Sequence, residues 1–392
     1  MRVLICHNQY GNGAVGGERL VVQNEISLLR AHGHIVMYYE RYNSELYNLS
    51  FFNKILRLFQ ISWSWESKKD IAKVLDDFKP DVMHVHNYKF MLTPSIFLEA
   101  KKRKIKTVLT LHNYRLMVPC ALYLDSRLRP CQQCDDGFAS RILFNKCSQM
   151  NFSHRLVSYL SYIGGLRYHH LCDILDGYIV LSEFAKELLS ARGIPDNKIF
   201  IKPNFEPDPS PNLSDELLKR RRGILFIGRL SCEKGIDFLL RICFFHKIPL
   251  TIIGTGPLEE ELKERYSIDF ISFLGQLNHE KCIKILQTAR CLVFPSTCFE
   301  GFPLTLLEAL SCGVPCIASR LGSRREIIAE QKNGFLYDYD NPDQLLKCIQ
   351  TMVSLSFSRY REMCISAYQT YSTQYTPGIN YSNLINIYNR IA

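Results

Sequence analysis

The chain has 392 residues, of which 47% are hydrophobic and 22% charged, with 21 Gly and 16 Pro. At roughly 150 residues per domain this is material for two or three globular domains, and it excludes a disordered or fibrous chain. The formal net charge is +10, and it is uneven: residues 1–205 hold 27 Lys+Arg against 18 Asp+Glu, residues 206–392 hold 21 against 20. A basic first half fits nucleic acid, an anionic membrane surface or a phosphorylated substrate, and composition does not choose among them.

The first apolar run, Val3 to Cys6, stops at His7-Asn8-Gln9, far short of the roughly 18 apolar residues of a membrane span, so it predicts a strand and no signal peptide. The 15 cysteines mostly stand singly in apolar segments, as Cys6, Cys243, Cys291 and Cys316 do, which predicts buried thiols and a reducing cytoplasm. After the first strand, Glu18 to Ala31 has a helical apolar face and ends at Gly33. Further strands are predicted at Ile35 to Tyr39, Val82 to His86, Thr107 to Leu111, Gly177 to Leu181 and Ile199 to Lys202, with helices between them. Four prolines between Pro203 and Pro211 read as a linker. Beyond it the alternation restarts, with strands at Gly223 to Gly228, Leu250 to Gly254, Phe270 to Leu274, Cys291 to Pro295 and Pro315 to Ala318, and from Pro342 onward the chain reads helical. The expected architecture is two α/β domains, 1–205 and 206–375, followed by a terminal helical segment, 376–392. Ligands of open parallel sheets bind outside the carboxyl ends of the strands, so functional residues are expected just after strands, in a cleft.

Gly11-Asn12-Gly13-Ala14-Val15-Gly16 is formally the dinucleotide fingerprint, with Glu40 as a ribose-binding acid, but His7 to Tyr10 separate the strand from Gly11, where the fingerprint requires a tight turn. A Gly-rich loop at a helix N-terminus remains, suited to an anion or to close backbone approach. His84 and His86 are expected on opposite faces of their strand, so that at most one reaches a site; for His86 a structural hydrogen bond is the alternative to a ligand contact. Cys131 and Cys134 have zinc-knuckle spacing, and with Cys120 and Cys147 four thiolates could close a structural zinc site, free thiols being the alternative. Phe51 to Trp65 and Phe152 to His170 mix aromatic and basic residues, as membrane-contacting segments do and as packing helices also do.

In the second half, Phe299 to Ala309 places Glu300 in a loop and Pro303 in the first turn of a helix, so that the amides of Gly301, Phe302 and Leu304 point out of its N-terminus. Glu308 then lies about 7.5 Å of helical rise past Pro303, and the two carboxylates can hold opposite ends of one ligand. Asp338-Tyr339-Asp340 matches D-x-D formally, but its place between a short strand and a helix at Pro342 reads as a turn and cap, and no catalytic metal is predicted.

This segment resembles the E-x7-E motif of retaining glycosyltransferases of the GT-B fold. Ile227 to Gly235 is similar to the family's G-R and E-K-G element, Ile253 to Leu258 to its G-x-G-P loop, and the order is the family's. Val15 to Arg19, Asp81 to Asn87, Leu111 to Arg115 and Lys202 to Phe205 resemble a bacterial branch of glycosyltransferase family 4, and Tyr381 to Ile391 resembles the final helix that returns to the first domain. The resemblance implies GT-B: two Rossmann-like domains with the active site in the interdomain cleft. It implies a hexosyl transfer from a nucleoside diphosphate sugar, UDP or GDP, to an acceptor hydroxyl, with the anomeric configuration kept.

By the same resemblance Arg229 and Lys234 hold the donor diphosphate as negative charge grows on the leaving group, a structural ion pair being the alternative for Arg229. Glu308 takes the ribose hydroxyls, Glu300 the donor sugar, and Gly228, Gly254, Gly256 and the amides around Phe302, Pro303 and Leu304 complete the donor site. His112 contacts the donor sugar near the reacting carbon, Gly16 and Gly17 let a loop approach, and His86 and Arg115 face the acceptor. The expected partner is a glycan or lipid-linked saccharide in surface polysaccharide assembly, at the cytoplasmic face of the inner membrane with peripheral association to anionic lipid; no nucleic acid is expected. The competing readings are a sugar-nucleotide 2-epimerase and a non-catalytic nucleotide-sugar-binding subunit.

Overall fold

A computed structural model describes residues 1–9, 17–46, 63–88, 91–135, 138–144, 150–167 and 171–391. The Gly11–Gly16 loop, residues 51–62 of the first aromatic segment, residues 168–170 of the second, and Cys147 lie outside the described residues. The chain divides into two compact units: residues 1–126, 131–203 and 380–392 form the first, residues 127–130 and 204–379 the second.

The first unit is built on six parallel strands, β1 (Arg2–Gln9), β2 (Ile35–Tyr42), β3 (Val82–Asn87), β4 (Lys106–Thr110), β5 (Gly177–Val180) and β6 (Ile199–Ile201), in the order β2-β1-β3-β4-β5-β6. These strands are buried Val/Ile/Leu runs, as sheets covered on both faces require. The helix Gly17–Ala31 buries Val21, Val22, Ile26 and Leu29 against the sheet and is followed by Gly33 at φ 80°. Leu384, Ile387, Tyr388 and Ile391, from the helix Pro377–Ile391, pack into this same core with Val3, Ile5, Val82, Val108 and Ile179.

The second unit has β7 (Arg222–Ile227), β8 (Leu250–Ile253), β9 (Ile271–Phe273), β10 (Ala289–Phe294), β11 (Cys316–Ser319) and β12 (Gly334–Tyr337), all parallel, in the order β12-β11-β10-β7-β8-β9. Each sheet therefore reverses its strand order once, at β1/β3 in the first unit and at β7/β10 in the second, and such switch points open the crevice where α/β sheets bind ligands. The proline-rich stretch is extended, as its prolines dictate, but it is not a solvated tether: Asn204, Phe205 and Glu206 are buried, with Tyr371 donating to the Glu206 carbonyl at 2.9 Å.

Strand β1 runs three residues further than its apolar run, because His7, Asn8 and Gln9 continue the ladder with Glu40, Arg41 and Tyr42 of β2 and are buried. Only Tyr10 then separates the strand from Gly11, so the four-residue gap invoked against a dinucleotide turn does not exist. The register of β1 on β3 slips between Cys6 and His7, a bulge of the kind that re-aims a side chain beside a site. Cys6, Cys243, Cys291 and Cys316 are buried, as their apolar settings predict, and burial pushes each thiol up.

Candidate functional site

In the second unit the loops after β7 and β10 meet at the switch point. Ser231-Cys232-Glu233-Lys234 makes a short turn closed by Gly235 at φ 66°, where a Cβ would collide with the Pro295 carbonyl of the loop after β10. Glycine there lets the two loops touch and aims Lys234 at Glu300: Lys234 Nζ lies 2.7 Å from Glu300 Oε1. Ser296 Oγ donates to the same oxygen at 2.9 Å. Burial opposes ionisation of Glu300, but Lys234, Arg324 and Ser296 outweigh it and hold the carboxyl below its ordinary value. Burial likewise opposes the Lys234 ammonium, and Glu300 outweighs it and raises its pKa. Both groups are therefore charged at neutral pH.

Arg229 is exposed, and no ion pair or hydrogen bond engages its guanidinium among the described residues. A structural ion pair is thereby excluded within the described residues, and a fork suited to phosphate stands open beside Lys234 in sequence. Gly254 has φ 133°, and a Cβ on it would overlap the Gly228 carbonyl, so the loop after β8 lies directly on the loop after β7. Gly256 likewise packs against the Leu230 backbone.

The helix carrying Glu308 spans Leu304–Ser311. Pro303 is its N-cap at ψ 113° rather than its first turn, so the start is one residue later than expected, and Leu304 is the first residue with helical backbone. The first amides of a helix have no partner within it, which leaves Leu304 N–H directed out of the N-terminus, while the Phe302 carbonyl accepts from Asn204 at 3.4 Å. Glu308 is buried, 8% exposed, which rules out a solvated helix residue. Its partner was missed in the sequence: His279, at the start of the helix His279–Leu286, lies 3.6 Å from Glu308 Oε1 and 2.9 Å from Glu206 Oε1. The two carboxylates push the His279 pKa up to about 10, Glu206 being the stronger influence. Burial pushes Glu206 up, and its Oε2 is buried with no partner.

In the first unit residues of β3 and of the loop after β4 assemble a second polar centre. His84 and His86 do not point to opposite faces. Residues two apart on a strand share a face, and the rings lie 4.2 Å apart. Both reach Glu25: His84 Nδ1 at 3.0 Å and His86 Nε2 at 3.1 Å from its Oε1, with Lys202 Nζ 2.8 Å from its Oε2. His86 Nδ1 contacts His112 Nε2 at 2.9 Å, and His112 lines a pocket with Asn113, Arg115, Ser161 and Tyr162. Gly17 opens the helix that carries Glu25; Gly16 lies outside the described residues.

Among the described residues, Glu25, His84 and His86 are the only three His, Cys, Asp or Glu groups whose ligand atoms lie within 4.8 Å of one another. Cys120, Cys131 and Cys134 are not so gathered, and Cys147 lies outside the described residues. Asp338 is exposed and serves a turn, its carboxylate accepting from Gln344 and its amide donating to it, while Asn341 caps the helix Pro342–Ser354.

Two parallel doubly wound sheets, one with a Lys–Glu pair and an open arginine at its switch point, define a two-domain α/β protein of the GT-B type. Solved structures agree: Anabaena HepE in complex with UDP superposes with a TM-score of 0.67 at 14% identity, covering 99% of this chain and 100% of that one. Residues 15–205 match the model of Glycosyltransferase Family 4 and residues 213–370 that of Glycosyl transferases group 1, and the chain belongs to the group 1 glycosyltransferases. A GDP-mannose-dependent alpha-mannosyltransferase of Corynebacterium glutamicum is 34% identical over 144 residues, 37% of this chain and 34% of the relative. An O-antigen chain mannosyltransferase C of Escherichia coli is 33% identical over 112 residues, 28% of this chain and 30% of the relative. The matches to the first curated relatives span 30% to 38% of those proteins' length.

Proposed function

We propose that the protein is a retaining glycosyltransferase that moves a hexosyl group from a nucleoside diphosphate sugar to an acceptor hydroxyl, the acceptor being a lipid-linked glycan of surface polysaccharide assembly. The observation that carries this reading is the charged Lys234–Glu300 pair at the β7/β10 switch point, with Arg229 open beside it. A nucleoside diphosphate leaving group gains negative charge as the glycosidic bond breaks, and Lys234 and Arg229 stabilise that charge more in the transition state than in the ground state. Glu300 holds Lys234 in place and accepts from donor sugar hydroxyls, Glu308 accepts from the ribose, and the Leu304 amide donates to sugar or phosphate oxygens. The leaving phosphate takes the acceptor's proton on the face from which it departs, so no covalent nucleophile is needed. UDP and GDP are the candidate nucleotides, supported by the UDP bound to the Anabaena neighbour and by the GDP-mannose dependence of the Corynebacterium relative.

The first unit binds the acceptor at the pocket that Arg115 lines, and His112, on the same pocket, contacts the donor sugar near the reacting carbon. Its helix Phe152–Arg167 exposes Phe152, Leu156 and Leu160 near Arg155, and Phe144 is 85% exposed, which supports peripheral docking on an anionic membrane at its cytoplasmic face. Among the described residues no helix is long and apolar enough to cross a membrane.

Incubation with UDP- and GDP-hexoses and a lipid-linked saccharide, with the product anomer read by NMR, tests the reading. Transfer with the donor's anomeric configuration kept is expected. An inverted product contradicts the mechanism, and nucleotide release that needs no acceptor favours the epimerase class.

A further inference from the structure

A glutamate, two histidines and a lysine, all buried, stand in one line behind His112. Glu25 is 0% exposed, His84 0%, His86 3% and Lys202 2%. Burying this much polarity is costly unless every hydrogen finds a partner, and an acceptor or donor at the wrong end of the line costs about as much as a lost charged hydrogen bond. The donor and acceptor inventory therefore determines where the protons sit.

Glu25 begins the line. Burial alone would raise its carboxyl, but Lys202, His84 and His86 hold it well below the usual carboxylate range, so it is an anion that only accepts. Lys202, which follows β6, is itself tied to Asn380 Oδ1 at 3.2 Å, and Asn380 donates to the Pro203 carbonyl at 2.7 Å. The anion is thus clamped from one side. Facing it, His86 Nε2 must carry a hydrogen to donate to Oε1 at 3.1 Å. A neutral imidazole has one N–H, so His86 Nδ1 is left as a lone pair. His112 Nε2, 2.9 Å from that lone pair, must then carry the hydrogen of His112. Burial pushes both His86 and His112 down to about 3, so neither is an imidazolium at neutral pH. His84 does not compete for this chain: its Nδ1 faces Tyr388 Oη at 2.8 Å and Glu25, and its Nε2 accepts from Thr110 Oγ1 at 2.7 Å.

We propose that Lys202, Glu25 and His86 form a buried relay of positioning residues that fixes His112 as its Nε2–H tautomer and turns its Nδ1 lone pair to the pocket as an acceptor for a ligand hydroxyl. No described residue hydrogen-bonds His112 Nδ1, and the ring lines the pocket. The consequence is a specificity. The pocket is built for a neutral, hydroxylated ligand that donates an O–H, as a sugar does, and not for the diphosphate bridge of a nucleotide sugar, whose two phosphates are esterified anions with no hydrogen to offer His112. The relay also assigns a division of labour within the proposed transferase, on which its functional meaning rests. Cationic stabilisation of phosphate belongs to Arg229 and Lys234, and His112 supplies orientation through one hydrogen bond. The sequence carried a sign of this: Glu25 lies on the apolar face of its helix among Val21, Val22, Ile26 and Leu29, where a lone carboxylate requires partners.

Histidine-selective 15N NMR of the full chain at pH 7 reads the tautomers directly, with His112→Asn and His86→Gln assigning the resonances. Both rings are expected to be neutral Nε2–H tautomers in the wild type, and that spectrum needs neither activity nor a variant that alters the relay's charge. In Glu25→Gln the amide can present either an oxygen or an N–H to His86, and His112 is expected to populate both tautomers; His86→Gln, which keeps the Glu25–Lys202 pair, gives the same mixture if Glu25→Gln folds poorly. An imidazolium or an Nδ1–H tautomer at His112 in the wild type, or an unchanged His112 tautomer in a folded relay variant, overturns the proposal. Kinetics supply the functional arm: loss of one oriented hydrogen bond corresponds to about a fivefold to tenfold fall in kcat, with the KM for the nucleotide sugar unchanged. Correct tautomers in a protein with no transferase activity would refute the transferase reading while leaving the relay standing. Incorrect tautomers in an active enzyme would do the reverse.

Discussion

Replacing Lys234 by Met keeps most of the stem and removes the ammonium that pairs with Glu300, leaving on its Oε1 the Ser296 hydrogen bond and a weaker contact from the Cys298 thiol at 3.6 Å. Two unit charges 2.7 Å apart attract by about 6 kcal/mol at an effective dielectric of about 20. Desolvation of both ions offsets much of that, and breaking one half of a buried pair costs about 3–5 kcal/mol. The side chains of Lys234 and Glu300 remain 26% and 18% exposed, so the lower end applies, about 3 kcal/mol. In a unit of this size each kcal/mol lowers Tm by roughly 2–4 °C, which gives a fall of about 6–12 °C for Lys234→Met. Adding Glu300→Gln removes the stranded charge, so the double variant is expected to recover Tm to within a few degrees of wild type. Activity behaves differently: lost transition-state stabilisation costs about 100-fold or more in kcat in the single and the double variant alike. Calorimetry paired with a transfer assay on the three proteins reads both quantities. A Lys234→Met protein with unchanged Tm refutes the buried-pair energetics, and a double variant that regains activity refutes the catalytic role.

His279 gives a pH prediction. Its folded-state pKa of about 10 lies above the ordinary 6.5, so its contribution to stability is complete below about pH 6.5 and lost as pH rises through 10. Urea midpoints should therefore fall over that window in the wild type and fall less in His279→Gln; parallel curves would argue against the bridge. Gly254→Ala should destabilise by several kcal/mol, because its φ of 133° excludes a side chain and the Gly228 carbonyl occupies the space, and denaturant titration showing a loss under 1 kcal/mol would contradict that packing. Deleting residues 380–392 strips four buried hydrophobic side chains from the first unit, each contributing about 1.5–3 kcal/mol, so the truncated chain should be insoluble or unfolded; a folded truncation product by circular dichroism would refute their place in that core.

The alternation of apolar runs and helical faces made the two sheets legible, because strands covered on both sides must be almost wholly apolar. It concealed the end of β1, where His7, Asn8 and Gln9 read as a loop although they pair with β2 and are buried. Polar residues at a strand's carboxyl end belong to the site rather than to the surface, and pattern alone does not separate the two. Glu300, Lys234 and Arg229 stood out through motif and charge together. Glu25, Lys202 and His279 did not, because each acts through a partner far away in the chain: Glu25 is 177 residues from Lys202. The pairing of His84 with His86 required only the two-residue period of a strand, and the expectation of opposite faces misapplied it.

Thermal unfolding of the purified chain with UDP, GDP, ADP, TDP and CDP reads whether the second unit holds a nucleoside diphosphate on Arg229 and Lys234. A ligand at a hundred times its dissociation constant stabilises by about 2.7 kcal/mol. Stabilisation by UDP or GDP is expected, and its loss in Lys234→Met and in Arg229→Ala. No stabilisation by any of the five, or stabilisation that survives both substitutions, would contradict that binding site.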